Sequence, residues 1–355
     1  MMLYIHLPFC KQKCKYCAFC SGDYSLEIQN RYIEQVIKAL RVLVDGKSVK
    51  TIYIGGGTPS VLPLDLWRKL LTAIHQYVDL SHLLEFTVEC NPESTREALL
   101  QLLKDGGVNR LSFGVQSLND RELSAIGRLH CSAEALKAIA LAQTVGFENI
   151  GADLIYGLPY QTVQSFKGSL QALLACGITH LSCYNLQLEE GTALFCEQDK
   201  LPFPDEDEQM QMYECLCEMT ANAGFAHYEI SNFCKQGYQA VHNSGYWTRE
   251  DYIGIGAAAH SKIGHKRYSF KENVLSFIAK EEISFDDCLE ISAQDEREET
   301  LMLGLRTARG VPMAFLNEQK AARYIEMGLA EINNGNLVLN EQGYMLSNSI
   351  IADLL

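Results

Sequence analysis

Apolar positions in the first 190 residues follow two alternating rhythms. Short, nearly continuous apolar runs rich in β-branched and aromatic residues occupy Leu3–Leu7, Thr51–Ile54, Leu84–Val88, Arg110–Val115, Asn149–Ile155 and His180–Asn185. Strands buried on both faces of a parallel sheet read this way. Between them, apolar residues recur at spacings of three and four over Leu26–Leu43, Leu64–Tyr77, Thr95–Lys104, Ser132–Val145 and Val163–Leu174. That is the stripe of a helix with one buried face. Gly106-Gly107, Gly146 and Gly177 fall where these helices must stop, as C-terminal cap glycines do. Six strand–helix units predict an α/β fold with a parallel sheet and right-handed crossovers. They are too few for a closed eight-unit barrel. An open, curved partial barrel and a doubly wound sheet both satisfy the pattern.

The rhythm breaks after about residue 190. Pro202 and Pro204 precede the acidic run Asp205–Glu208, which reads as the start of a helix ending near Gly224, with carboxylates at its positive dipole end. Residues 226–270 are rich in Gly, His, Tyr and Asn and predict short strands and loops. From about Asp295 the chain turns helical, with two short polar–apolar segments at Tyr324–Ile332 and Leu337–Leu346. The expected division is therefore 1–190 as the α/β unit, 191–289 as an extension, and 290–355 as a small, mainly helical, winged-helix-like domain.

Composition narrows the function classes. The 355 residues are 47% hydrophobic and 21% charged, ordinary for a globular chain. The net charge of −14 lacks the basic footprint that nucleic acid requires. No run approaches the ~20 apolar residues of a transmembrane helix. The start, MMLYIHLPFC, has no basic segment followed by a long apolar one, so no secretory signal is expected and the chain reads as cytosolic. Most of the 13 cysteines are scattered and are expected to be reduced, buried, small apolar residues.

Three of them are not scattered. Cys10, Cys14 and Cys17 share one short loop, HLPFCKQKCKYCAFC, directly after the first predicted strand. Three thiolates suit a [4Fe–4S] cluster with one iron left open, whereas a cluster held by four cysteines mainly moves electrons. Zinc also takes thiolates but usually wants a fourth ligand, and no second cysteine pair is near; plain core packing is the other alternative. The mouth formed by strand C-terminal ends is where ligands bind in parallel α/β folds. Four further strand ends present polar or glycine motifs there: Gly55-Gly56-Gly57-Thr58-Pro59, Glu89-Cys90-Asn91-Pro92, Gly114-Val115-Gln116-Ser117 and Asp153-Leu154-Ile155-Tyr156-Gly157. The run Gly254–Ala259 has the look of a dinucleotide loop, but it lacks the strand–helix–strand context.

The C-x3-C-x2-C loop with Tyr16 before its third cysteine resembles the radical S-adenosylmethionine (SAM) signature. YIHLPFC, GGGTPS, ECNP, FGVQS and DLIYGLP resemble the branch that contains oxygen-independent coproporphyrinogen III oxidase (HemN). Within that branch the oxidase carries a fourth cysteine two places after the third; here Phe19 stands there, and Cys20 is one residue late. His242-Asn243-Ser244-Gly245-Tyr246-Trp247 matches the HNxxYW motif of the radical SAM haem chaperones, the HemW family, and YEISNF and GIGAAAHS are similar to that family as well. The resemblance implies an incomplete (βα)6 TIM-like barrel. It implies a [4Fe–4S] cluster on Cys10, Cys14 and Cys17. It implies SAM contacts from Tyr4, Tyr16, Gly56, Gly57, Thr58, Glu89, Gln116, Arg128 and Asp153, with Glu89 receiving the ammonium group. It further implies haem binding with His242 as candidate iron ligand, and delivery to apo-haemoproteins of a respiratory chain. Porphyrin oxidase activity is the competing expectation, and a radical SAM enzyme of another substrate the third.

Overall fold

The computed structural model describes all residues, Met1–Leu355. The first part of the chain runs β1 (Met2–Leu7), α1 (Leu26–Leu43), β2 (Thr51–Gly56), α2 (Leu64–Tyr77), β3 (Glu85–Cys90), α3 (Glu97–Asp105), β4 (Arg110–Gln116), a short α4 (Asp120–Ala125), α5 (Ser132–Val145), β5 (Asn149–Tyr156), α6 (Val163–Ala175) and β6 (His180–Asn185). β1 to β6 lie side by side in chain order, every pair parallel. This order decides between the two arrangements the pattern allowed. A doubly wound sheet reverses direction at a switch point. Here each right-handed crossover steps the same way, so the sheet curls into an open partial barrel with helices on one side.

The helices form where their stripes predict. α1 buries Tyr32, Ile33, Val36, Ala39 and Leu40, and α2 buries Leu66, Trp67, Leu70, Leu71 and Ile74. These side chains join the sheet's own apolar residues in one core of 58 buried residues, each large one worth about 1.5–3 kcal/mol of burial. Gly146 caps α5 at φ +95°, a left-handed conformation that glycine takes without strain. The third strand lies slightly later than its apolar run suggests. Leu84 is exposed, while Cys90 is buried and paired with β4.

The second part of the chain forms the helix and the short strands its pattern predicts, and joins those strands to the barrel sheet. It contains α7 (Ala193–Cys196), α8 (Glu206–Asn222), β7 (Ala226–Glu229), β8 (Asn232–Cys234), α9 (Val241–Trp247), β9 (Tyr252–Ile255), β10 (His260–Ile263), β11 (Lys266–Ser269), α10 (Val274–Ile278) and β12 (Asp287–Glu290). The acidic run starts α8 through a reciprocal cap: Glu208 N–H donates to the Asp205 carboxylate at 2.8 Å, and Asp205 N–H donates to that of Glu208 at 3.1 Å. The short strands extend both edges of the barrel sheet. β8 and β7 add antiparallel beyond β6, while β9 adds parallel beside β1, followed by β10, β11 and β12. One sheet of twelve strands results.

The C-terminal layer holds α11 (Ala293–Gly304), β13 (Val311–Pro312), α12 (Glu318–Glu326), β14 (Ala330–Asn333), β15 (Asn336–Leu339), α13 (Glu341–Met345) and α14 (Ser347–Leu354). The two polar–apolar segments supply a small antiparallel sheet between the helices. This layer has its own core of 14 residues. It meets the large sheet through backbone bonds from Ile230 N–H to the Arg306 carbonyl (2.9 Å) and from Ala308 N–H to the Tyr228 carbonyl (3.0 Å). No helix is long and apolar enough to cross a membrane.

Candidate functional site

The C-terminal ends of β1 to β5 open into a cavity of about 480 Å³. Cys10, Cys14 and Cys17 line one wall of it. Backbone bonds hold their loop: Cys10 N–H donates to the Gly22 carbonyl (2.9 Å), Thr58 N–H to the Phe9 carbonyl (2.7 Å), and Lys15 N–H to the Ile126 carbonyl (3.0 Å). The glycine run now has a reason. A Cβ on Gly57 would stand 2.8 Å from the Phe9 carbonyl and 3.0 Å from Cys10 Sγ; one on Gly56, at φ +117°, would meet the His6 ring at 2.6 Å. Burial pushes the Cys10 and Cys17 thiols up. Thiols in such a place become thiolates when a cation is bound.

The opposite wall carries charge. Glu89 accepts from the Tyr53 hydroxyl at 2.7 Å and from Gly56 N–H at 3.1 Å. Burial nevertheless pushes its carboxyl up to about 7, because those bonds offset only part of the desolvation. Burial raises Asp153 too, against a 3.4 Å bond from Ser112. Arg128 donates to the Gly114 carbonyl (2.5 Å) and to Asn91 Oδ1 (2.9 Å), and its Nη1 points at Cys14 Sγ at 3.5 Å. Burial opposes the Arg128 charge, yet Tyr16, Cys14 and Glu93 outweigh it and hold the guanidinium protonated. Its Nε is buried with no hydrogen-bond partner. Gln116 sits at φ +67° beside a register shift that ends β4. That conformation costs a non-glycine residue roughly 1 kcal/mol or more, and such strain gathers at sites.

The structure thus brings Cys10, Cys14, Cys17, Tyr16, Gly56, Gly57, Thr58, Glu89, Gln116, Arg128 and Asp153 to one cavity. It does not bring Tyr4 there. Tyr4 lines a neighbouring cleft of about 410 Å³, its hydroxyl 2.9 Å from His6 Nδ1. The sequence reading also missed Asn91 and Arg110. Asn91 donates to Thr58 Oγ1 at 3.0 Å and ties the β2 and β3 loops together. Arg110 is fully buried under the cavity floor, with Glu85 and Asp153 among the groups that keep it charged. Its one visible signal is a cation opening an otherwise apolar central strand.

The neighbouring cleft lies behind the cysteine loop. Tyr4, His6, Cys20, Tyr246, Tyr252 and His260 line it, and Ala18 and Phe19 face both spaces. Phe19 is 68% exposed. His242, the expected iron ligand, does not line the cleft. It is wholly buried, with Nδ1 2.9 Å from Thr51 Oγ1 and Nε2 2.9 Å from the Tyr246 hydroxyl. Burial, helped by Arg110, pushes its imidazole down to about 3. Neither ring nitrogen is open to an iron, because the helix that carries the motif packs this face against β2. The motif reaches the cleft through Tyr246 instead. His260, on β10, is exposed at the same cleft.

An open sheet of sequential parallel strands, with three cysteines on a loop at its carboxyl mouth, defines a radical SAM protein, and the model of the Radical SAM superfamily matches residues 4–173. The HemN C-terminal domain model matches 291–346. The heme chaperone HemW of Lactococcus lactis subsp. lactis is 35% identical over 99% of this chain and 96% of its own; that of Bacillus subtilis is 34% identical over 99% and 98%. The chain belongs to the HemW family. The structure of coproporphyrinogen III oxidase (HemN) from Escherichia coli superposes with a TM-score of 0.84 over 99% of this chain and 89% of that one, at 19% identity, which establishes the shared fold. Radical SAM membership implies a [4Fe–4S] cluster and SAM. The residues present fit both groups. Three thiols share one wall, Gly57 keeps the space beside Cys10 clear, and Arg128, which lines the same cavity, keeps a buried donor unpartnered.

Proposed function

We propose that this protein binds haem and passes it to apo-haemoproteins of a respiratory chain in the cytoplasm, using a radical SAM scaffold. The observation that carries this is the likeness to curated haem chaperones along essentially the whole chain, 35% identity over 99% of it. Cys10, Cys14 and Cys17 would hold the cluster. Held there, the cluster would supply the electron for reductive chemistry on SAM. Glu89 would receive the ligand's ammonium group through a charge-assisted bond. Gly56, Gly57 and Thr58 would flank the methionyl part, and Tyr16, Gln116, Arg128 and Asp153 would enclose the remainder.

Haem fits the aromatic cleft better than the mouth. Tyr246 and Tyr252 line it as an edge-to-face pair with centroids 4.8 Å apart, and His260 offers an exposed imidazole as iron ligand. His242 becomes a positioning residue that holds the Tyr246 hydroxyl. Titrating the cluster-reconstituted protein with haem tests this through the Soret band. Saturable binding is expected, lost in His260→Ala and retained in His242→Ala. No saturable binding in the unmodified chain overturns the chaperone reading.

The porphyrin oxidase reading rests on the shared HemN fold. Phe19 weighs against it, because it removes the fourth cysteine of the oxidase loop. Conversion of coproporphyrinogen III to protoporphyrinogen IX, with SAM and a reductant, would reverse this ranking.

A further inference from the structure

A second group of metal-binding side chains lies far from the cysteine loop, at the outer edge of the large sheet. Cys217 belongs to α8, His227 to β7, and Glu341 opens α13 in the C-terminal layer. One donor atom from each lies within 4.8 Å of the other two. Cys217 is buried, His227 half-buried and Glu341 exposed. The elements come from two separately cored parts of the molecule, so the three residues meet only at their junction.

The imidazole of His227 is arranged as a metal-bound one would be. Its ring stacks on Phe233 at 4.1 Å and 18°, with Tyr344 edge-on at 5.0 Å, which fixes its orientation. Nε2 faces the Ile230 carbonyl at 3.4 Å. Nδ1 is buried and has no hydrogen-bond partner. Metal-ligating histidines commonly give one N–H to a backbone carbonyl and present the other nitrogen's lone pair to the ion. Burial pushes this imidazole down to about 4, so it is neutral and its lone pair is free near pH 7.

Cys217 and Glu341 complete the donor set. Burial, with the Glu341 carboxylate beside it, pushes the Cys217 thiol up to about 12. Two groups that each resist the other's negative charge are stabilised together by a cation between them. One thiolate, one imidazole and one carboxylate suit zinc, with Zn–S of about 2.3 Å and Zn–N and Zn–O of about 2.0–2.2 Å. A cavity of about 270 Å³, lined by Tyr213, Cys217, Glu341 and Met345, opens beside Cys217 and Glu341.

We propose that Cys217, His227 and Glu341 form a second metal site, for a divalent ion of the zinc type, which fastens the C-terminal layer to the edge of the sheet. It is independent of the haem reading and of the cluster.

Zinc is the probe. The full chain is first reconstituted anaerobically with its [4Fe–4S] cluster, so that the N-terminal thiols are occupied. It is then incubated with zinc chloride, desalted, and analysed for zinc, iron and sulfide. The expected result is one zinc per chain in addition to the cluster. Cys217→Ser and His227→Gln should lose the zinc with iron and sulfide unchanged. Glu341→Gln, at an exposed position where folding is not in question, should weaken zinc binding by more than the roughly 10- to 100-fold typical of losing an outer-shell partner. Cobalt in place of zinc should give a thiolate charge-transfer band that Cys217→Ser lacks. Background zinc in the unmodified chain, or equal zinc in it and in Glu341→Gln at limiting metal, overturns the proposal.

Discussion

Two cavities share the cysteine loop as a common wall, and they are built from opposite materials. The mouth in front of the loop holds Glu89, Asp153 and Arg128 among glycines and backbone amides. The cleft behind it holds Tyr4, Tyr246, Tyr252, Phe19 and two histidines, with Glu272 as its one carboxylate. Buried charge is costly unless a partner of opposite sign arrives. The mouth therefore suits a small zwitterion with a polar tail. The cleft, with aromatic faces and an exposed imidazole, suits a flat apolar ligand bearing a metal. Ala18 and Phe19 of that loop face both spaces, whereas Cys10, Cys14 and Cys17 line the mouth alone.

The largest effect expected is in the mouth. Cys14→Ser should abolish most iron and sulfide loading after reconstitution. If the two spaces are separate, haem binding in the same variant should stay within about threefold of the unmodified chain, roughly 0.6 kcal/mol. Equal loss of both would merge them into one site.

Next is Glu89. Its carboxyl is pushed up to about 7, so a proton must leave before it can receive an ammonium group. SAM affinity should fall as pH drops below 7, by up to about tenfold per pH unit. Glu89→Gln should lower affinity by about 10- to 100-fold at pH 8, in keeping with ~1.5–3 kcal/mol for a charged hydrogen bond, and flatten the pH profile. Calorimetric titration at pH 6, 7 and 8 measures both. The same raised pKa has a consequence for the ligand-free chain. Its contribution to stability is fully present below the ordinary carboxyl value of 4.5 and is lost as pH rises through about 7. Bound SAM should restore it.

A smaller effect belongs to the buried side of the cleft. His242→Ala removes the partner of both Thr51 and Tyr246 and should destabilise by about 1–3 kcal/mol. Chemical denaturation reads this as a lower midpoint. Because the folded imidazole is held down to about 3, the unmodified chain keeps His242's contribution above the ordinary imidazole value of 6.5. It loses that contribution as pH falls towards 3, and the variant should lack this acid-side slope.

Smallest is Tyr246→Phe, which keeps the ring face and removes one hydrogen bond, for about 0.5–1.5 kcal/mol. Haem affinity should change little. A large fall in haem affinity would mean that the hydroxyl, and not the ring, serves the cleft.

Much of the barrel was legible because its signals are local. A strand's apolar run and a helix's three–four spacing lie within one short segment, so the order β1 to β6 and the helices between them could be read directly. The three cysteines and the polar strand ends were legible for the same reason. Arg110 was not, because a cation in a buried strand takes its meaning from Glu85 and Asp153 on adjacent strands. The region 226–270 hid its role because strands of three or four residues carry too few side chains to establish an alternation.

By itself, the sequence determined the class of fold, the cysteine loop and the set of polar groups at the strand ends. These follow from periodicity and spacing, which the chain carries within each segment. Only the tertiary structure decided which groups face which space. His242 stands in a motif with two aromatics, yet Thr51, 191 residues away, holds its ring inside. Glu85, 156 residues from Val241, holds the start of that helix at 2.7 Å. Strand alternation puts Tyr4 on the face opposite Leu3 and Ile5, but that its ring lines the aromatic cleft and not the mouth depends on distant Tyr246 and Tyr252. Orientation is set by packing between distant segments, and no local pattern encodes it.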